Sequence, residues 1–132
     1  MITILVVDDD DDMCETLRLI LEKEGYLLLT ASNGNEADVI CKENRPDLVI
    51  TDIIMPDKDG LETITFLQRT YPEIKIIAIT GAGSGRGKEF NYLECAELLG
   101  ANRVLGKPFS QTDILHLVKE VLDETHQDSV PS

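Results

Sequence analysis

Short apolar runs that alternate with helix-like segments constrain the fold of this chain more than any other feature. Residues 4–7, 48–50 and 76–79 are uninterrupted runs of mostly β-branched or leucine side chains, with one alanine. A strand with one face in water alternates apolar and polar residues, whereas a strand covered by helices on both faces is apolar throughout. The runs therefore predict an α/β sandwich built on a parallel sheet.

Hydrophobic periodicity and turn residues divide the chain into five repeats of a strand followed by a helix. The predicted strands are residues 2–7, 26–30, 47–52, 75–80 and 103–105. The predicted helices are residues 12–23, 35–43, 61–69, 89–99 and 114–122. Ser110 and Asp113 have the spacing of a capping box and predict the start of the last helix.

Length and charge exclude several classes of protein. The 132 residues fit one domain, because domains most often have about 100–150 residues. The formal net charge of −13 would repel DNA phosphates and anionic lipid. Met1 leads directly into a strand-like run without a basic segment and a long apolar stretch, and no run reaches about 18 apolar residues, so we expect neither a signal peptide nor a membrane span. We therefore expect a cytoplasmic protein that binds neither nucleic acid nor membrane directly.

The three cysteines do not form a recognisable metal or disulfide motif. Cys14, Cys41 and Cys95 are far apart in the chain, and each lies in an apolar-periodic segment. An odd number of widely spaced cysteines is typical of reduced core thiols in a cytosolic protein. We predict that role for all three.

Charged side chains stand at the ends of three predicted strands. Asp8 and Asp9 follow the first strand, Asp52 ends the third, and Lys107 follows the fifth. The carboxyl ends of parallel strands open onto one edge of the sheet, so we expect these groups to converge there. Carboxylates and an ammonium group suit Mg²⁺ binding and phosphoryl chemistry. The next aspartates, residues 10–12, are predicted to cap the first helix instead.

Four motifs in this order resemble the receiver domain of bacterial two-component response regulators. They are ILVVDDD at 4–10, DIIMPDKDG at 52–60, TG at 80–81 and KPF at 107–109. The resemblance implies a flavodoxin-like, doubly wound (βα)5 sandwich whose five parallel strands have the order 2-1-3-4-5. It implies a receiver domain over residues 1–124. Residues 125–132 are predicted to be a disordered tail or the start of a linker.

The resemblance also implies a phosphoacceptor and a metal site. Asp52 would be phosphorylated to an aspartyl phosphate. Asp8, Asp9, Asp52 and the carbonyl oxygen of Ile54 would bind Mg²⁺, which prefers oxygen ligands and keeps several waters. The phosphoryl donor would be a histidine kinase or a histidine phosphotransfer protein. The output would be a downstream protein or a fused effector domain.

Two further groups would act on the phosphoryl group according to the same resemblance. Thr80 would donate its hydroxyl to a phosphoryl oxygen and so move the following loop, and Lys107 would stabilise the negative charge. Pro108 would support that geometry through a cis bond that aims Lys107 inward. Such a domain is not an enzyme in the usual sense, because it promotes only its own phosphoryl transfer and autodephosphorylation.

The residues leave two alternatives open. The first is an interaction module that works without phosphorylation, because Val104 stands where many receivers carry Tyr or Phe and residues 81–87 form a glycine-rich loop. The second is an aspartate-nucleophile phosphatase of the haloacid-dehalogenase type, with Asp8 attacking and Asp10 as the acid. Such enzymes prefer Thr or Val where this chain has Asp12.

The glycine-rich loop superficially suggests a nucleotide-binding Walker motif. Ala82 occupies the position of the first glycine, and Glu89 follows Lys88 where the motif needs Ser or Thr. We therefore predict a flexible loop here instead of a phosphate-binding one.

Overall fold

The computed structural model describes residues 1–53, 60–80, 100–106 and 108–128, and its centre is a five-stranded parallel sheet. The strands are β1 (Thr3–Val7), β2 (Leu27–Ala31), β3 (Leu48–Asp52), β4 (Lys75–Thr80) and β5 (Arg103–Gly106). Their order across the sheet is β2-β1-β3-β4-β5, and every pair of neighbours is parallel. The predicted strand order and fold class are confirmed.

Four helices lie within the described residues. They are α1 (Asp11–Glu22), α2 (Gly34–Asn44), α3 (Gly60–Thr70) and a last helix (Gln111–Asp128). The helix predicted at 89–99 lies outside the described residues. Among the described helices, none combines the length and the apolar character that a membrane-spanning segment requires.

The last helix is longer than its apolar pattern predicts. The pattern ends at Leu122, but the helix continues to Asp128, so the backbone of 125–128 is helical. Once a helix is nucleated, each added residue gains a backbone hydrogen bond without needing a buried face. Residues 129–132 lie outside the described part of the chain, and the domain boundary at 124 stays a prediction.

Side-chain caps begin three of the helices. The Asp10 carboxylate accepts hydrogen bonds from the backbone N–H groups of Asp12 and Met13 at the start of α1. The amides and side chains of Ser110 and Asp113 are paired reciprocally at 3.0 and 3.1 Å, which confirms the capping box. Asn33 caps α2 by accepting from the N–H of Glu36 at 2.9 Å. These caps satisfy amides that have no partner within their helices.

The helices bury both faces of the sheet in two separate cores. Alternate strand residues such as Leu5 and Val49 pack with Cys41 of α2, and the residues between them pack with Cys14 of α1 and Val118 of the last helix. This two-sided burial explains why the strands are apolar throughout. Both described cysteines are buried and free, as predicted. The third, at position 95, lies outside the described residues.

Candidate functional site

The register of β1 and β3 brings two predicted site residues level with each other. Val7 pairs with Thr51, so Asp8 and Asp52 are the next residues along the two neighbouring strands. A parallel ladder keeps this spacing because its hydrogen bonds are evenly placed along the strands. The two carboxylates therefore meet at the same edge of the sheet, although 44 positions of sequence separate them.

The register of β3, β4 and β5 extends the same edge. Asp52 pairs with Ile79, the residue before Thr80, and Thr80 pairs with Gly106. The backbone of Thr80 thus ends its strand beside the phosphoacceptor candidate. Lys107 follows Gly106 in the sequence but lies outside the described residues, as does the side chain of Thr80. Their predicted contacts with a phosphoryl group stay predictions.

Asp8, Asp9 and Asp52 form a compact acidic cluster. One carboxylate oxygen from each residue lies within 4.8 Å of the other two. Asp8 is buried with 4% of its surface exposed, Asp52 is half-buried, and Asp9 is exposed. The cluster is therefore closed on the protein side and open to solvent on the other. Ile54, the fourth predicted metal ligand, lies outside the described residues.

The electrostatics of the acidic cluster favour a bound cation. Two unit negative charges 4.8 Å apart repel by about 1 kcal/mol in water and by about 3 kcal/mol at an effective dielectric constant of 20. Mg²⁺ takes oxygen ligands at about 2.1 Å in an octahedron, so opposite ligands are about 4.2 Å apart. Adjacent ligands are about 3.0 Å apart, and the three oxygens, all within 4.8 Å of one another, are near enough to share one ion. The donor set therefore fits Mg²⁺, with waters completing the shell on the open side.

Three hydrogen bonds hold Asp8 in place. Its backbone N–H donates to the carbonyl oxygen of Ala31 at 3.0 Å, and its Oδ1 accepts from the N–H of Asp10 at 2.9 Å. The Sγ of Cys14 donates to the Asp8 carbonyl at 3.4 Å. Burial, with the nearby Asp8 charge, raises the pKa of the Cys14 thiol to about 11, so the thiol keeps its proton. Asp8 is thus positioned by its neighbours on β2 and α1.

Asp52 is held through the peptide bond that follows it. The Thr51 hydroxyl donates to the Asp52 carbonyl at 3.0 Å, and the N–H of Ile53 donates to the Ile79 carbonyl at 2.9 Å. Thr51 itself is fully buried. Sequence reasoning missed Thr51 and the contact of Cys14 with Asp8. The available signal for Thr51 was a hydroxyl residue inside an otherwise apolar strand.

The remaining residues singled out in the sequence lie at the margins of the site. Val104 is half-buried on β5 and packs against the core on the side of α2 and α3. Pro108 is exposed. Its peptide bond with Lys107 involves a residue outside the described ones, so the predicted cis bond stays a prediction. The glycine-rich run at 81–88 also lies outside them.

Comparison with known proteins decides the family. The model of the response regulator receiver domain matches residues 4–119, which include all three aspartates of the acidic cluster. The chain belongs to this family. Receiver domains of two-component systems bind Mg²⁺ at an acidic pocket and interact with histidine kinases and output domains. The acidic cluster of this receiver domain has the charge and the donor atoms that such a pocket requires.

Individual relatives agree with the family assignment. The transcriptional regulatory protein SrrA of Staphylococcus aureus is 35% identical over 96% of this receiver domain and 50% of its own length. The receiver domain thus spans about half the length of the curated relatives it matches.

Solved structures show the same fold. The beryllofluoride-activated NtrC4 receiver domain dimer is 36% identical, with a TM-score of 0.85 over 95% of this chain and 99% of its own. The CheY-like receiver domain protein from Methanospirillum hungatei JF-1 is 29% identical, with a TM-score of 0.89 over 98% of this chain and 99% of its own.

Proposed function

We propose that this receiver domain is phosphorylated on Asp52 in a Mg²⁺-dependent reaction, and that the aspartyl phosphate switches a protein-interaction surface. The phosphoryl donor is a histidine kinase or a histidine phosphotransfer protein. The observation that carries the proposal is the acidic cluster, in which three carboxylates from the ends of two adjacent strands lie within 4.8 Å of one another. A structural role alone does not explain this cluster, because the repulsion within it destabilises the fold.

The chemistry follows from the positions of the three carboxylates. A carboxylate oxygen of Asp52 attacks the phosphorus of the phosphohistidine, and the P–N bond breaks with its electron pair leaving on the imidazole nitrogen. Asp8 and Asp9 would hold the cation together with Asp52 and the Ile54 carbonyl. When bound, Mg²⁺ supplies positive charge beside the phosphoryl oxygens.

Two residues beyond the cluster complete the proposed mechanism. Lys107, supported by Pro108, provides a second positive charge for the phosphoryl group. The Thr80 hydroxyl donates to a phosphoryl oxygen once the phosphate is present, which moves the loop after β4. Support for both assignments comes from the pairing of Thr80 with Gly106, the residue before Lys107.

The proposed output and compartment follow from the relatives. Since the curated relatives have about twice the aligned length, the switched surface would contact either a fused effector domain or a separate output protein. Because the donor is a phosphorylated histidine of an intracellular signalling protein, we propose the cytoplasm as the compartment. Any catalytic activity is limited to transfer onto Asp52 and autodephosphorylation.

One observation favours a second candidate, an interaction module that works without phosphorylation. Val104 packs against the core on β5, and this aliphatic side chain cannot undergo the ring rotation available to Tyr or Phe. Partner affinity measured before and after phosphorylation separates the two functions. The phosphatase alternative is weakened, because the Asp10 carboxylate is engaged in capping α1 and the family model is that of a receiver.

Acetyl phosphate tests the proposal directly. The purified chain is incubated with acetyl phosphate and Mg²⁺, and its intact mass is measured. We expect a gain of one phosphoryl group that disappears with a chelator and in Asp52→Asn. Asp123→Asn is the matched control, because it removes an exposed carboxylate from the last helix, outside the acidic cluster. A missing mass gain in the unmodified chain, or one that persists in Asp52→Asn, would refute the proposal.

A further inference from the structure

The peptide group between Asp52 and Ile53 is held at both of its polar atoms. Its carbonyl oxygen accepts the Thr51 hydroxyl at 3.0 Å, and its N–H donates to the Ile79 carbonyl at 2.9 Å. A peptide group is planar, so restraining both atoms fixes the orientation of the whole plane. The backbone rotation on the carboxyl side of Asp52 is therefore set by Thr51 and β4 together.

The sheet provides only one half of this restraint, the bond to Ile79, and the Thr51 hydroxyl provides the other half at the end of the strand. Asp52 is the last residue of β3, and its pairing with Ile79 is the last pair in the register of β3 with β4. Beyond the end of a ladder, backbone rotations are otherwise free to vary. The Thr51 hydroxyl thus acts on the peptide that determines where the Asp52 side chain points.

The Asp52 carboxylate needs such a restraint. It lies within 4.8 Å of carboxylate oxygens of Asp8 and Asp9, so charge repulsion drives it away from the cluster. A phosphoryl acceptor reacts efficiently only when its oxygen is held in line with the breaking bond. Hydrogen bonds restrain Asp8 at its backbone and at its side chain. The hydrogen bond from the Thr51 hydroxyl to the Asp52 carbonyl provides a comparable restraint for Asp52.

We infer that Thr51 is a positioning residue for phosphoryl transfer, and that its buried hydroxyl orients Asp52 through the carbonyl group between them. The inference rests on the proposed function, because it assumes that Asp52 is the phosphoacceptor. In this role Thr51 acts through Asp52 and not directly on the phosphoryl group or the metal.

A purely structural explanation predicts something different. A buried hydroxyl must have a hydrogen-bond acceptor, and the Asp52 carbonyl is one in reach. If the bond only satisfies the buried hydroxyl, replacing Thr51 with the isosteric Val removes both the hydroxyl and its need for an acceptor. The phosphorylation rate should then stay unchanged. If the bond orients Asp52, the same replacement slows phosphorylation while the fold stays intact.

Two pairs of side chains isolate the hydroxyl. Thr and Val differ at position 51 only by hydroxyl against methyl, and Ser and Ala differ only by the presence of the hydroxyl. Thr63→Val is the matched control, because Thr63 is equally buried but lies on α3, outside the acidic cluster. For each variant we would measure the maximal phosphorylation rate with acetyl phosphate, the half-saturating Mg²⁺ concentration and the melting temperature.

Thr51→Val should lower the maximal rate by about two- to tenfold, the range expected for one lost hydrogen bond, and raise the half-saturating Mg²⁺ concentration. Thr51→Ser should keep a rate close to that of the unmodified chain, and Thr63→Val should not change the rate. Should Thr51→Val fail to fold, a slower rate in Thr51→Ala than in Thr51→Ser gives the same answer.

Equal rates within both pairs, or an equal loss in Thr63→Val, would overturn the positioning role. That outcome leaves the proposed function intact, because the unmodified chain is still phosphorylated. If the unmodified chain accepts no phosphoryl group, the proposed function itself fails and the inference fails with it.

Discussion

Replacing Asp52 with Asn should stabilise the metal-free protein, even though it abolishes the proposed phosphorylation. The substitution keeps the size and shape of the side chain and removes one of three mutually repelling charges. The acidic cluster would then contain one repelling pair, Asp8 with Asp9, instead of three. Asp52 would thus be required for phosphorylation and would at the same time lower the free energy of unfolding of the metal-free protein.

The magnitude follows from the geometry of the acidic cluster. The exposed Asp9 interacts with Asp52 through water, so at 4.8 Å that pair contributes about 1 kcal/mol of repulsion. The pair with Asp8 is better shielded, because Asp8 is 4% exposed and Asp52 is half-buried, and contributes about 1–3 kcal/mol. Allowing for screening by salt and for the attraction to Lys107 that the proposed site would lose, we expect a net gain of about 1–2 kcal/mol in the free energy of unfolding.

Urea unfolding in chelator and in excess Mg²⁺ measures this gain. In chelator, Asp52→Asn should shift the urea midpoint upward without a change of slope. The unmodified protein should gain about 1.4 kcal/mol when free Mg²⁺ is ten times its dissociation constant, and Asp52→Asn should gain less because it has lost an anionic ligand. High salt should shrink the difference measured in chelator, since it screens exposed charges.

Asp123→Asn separates this local effect from the general charge of the protein. The chain has a net charge of −13, so removing any carboxylate relieves some long-range repulsion. The control removes the same charge from an exposed helix position and should gain clearly less than Asp52→Asn. Equal gains in the two variants, or a loss of stability in metal-free Asp52→Asn, would refute the idea that the cluster is strained by its own charge.

Two further predictions concern the structure away from the acidic cluster. Arg45 ends α2 with φ of 45°, its guanidinium lies 4.5 Å from the centre of the Tyr71 ring, and its Nη1 is 2.9 Å from Glu73 Oε2. Arg45→Ala should lower the free energy of unfolding, measured in urea, by about 1 kcal/mol, because it removes the contacts with Tyr71 and Glu73. Arg45→Gly should lower it by less, because glycine adopts positive φ without strain. An alanine variant more stable than the glycine variant would contradict this reasoning. Burial raises the pKa of Cys14 and Cys41 from 9.0 to about 11, so their contribution to stability is complete below about pH 9 and is lost as the pH rises toward 11. Urea midpoints measured across that range should fall for the unmodified protein and fall less for Cys41→Ala.

Local patterns in the sequence were sufficient for the strands, the caps and the fold class. Apolar runs predicted strands that are covered on both faces, and the spacing of Ser110 and Asp113 predicted the start of a helix. Each of these patterns involves residues that are only a few positions apart in the sequence. The last helix was predicted too short for the same reason. The residues of the helix beyond Leu122 continue no apolar periodicity, so no apolar pattern predicts them.

The acidic cluster was predictable only as far as the topology was. Each aspartate lies at or directly after the end of an apolar run, which marks the end of a strand in the sequence. The resemblance to the family predicts which strands are neighbours. That a carboxylate oxygen of each lies within 4.8 Å of the others depends on the register of β1 with β3, which pairs Val7 with Thr51. Register is decided by the packing of whole strands against the helices on both faces.

By itself the sequence determined a parallel α/β sandwich, its receiver-type motifs and the aspartates that end its strands. Only the tertiary structure decided what holds those aspartates: the Cys14 thiol behind Asp8, and the Thr51 hydroxyl and the Ile79 carbonyl on the two sides of the peptide after Asp52. The physical reason is the precision of the geometry. Periodicity and capping patterns indicate which residues form an element, whereas a hydrogen bond requires two atoms to meet within about 3 Å. Even for neighbours such as Thr51 and Asp52, that distance depends on backbone and side-chain rotations that packing fixes.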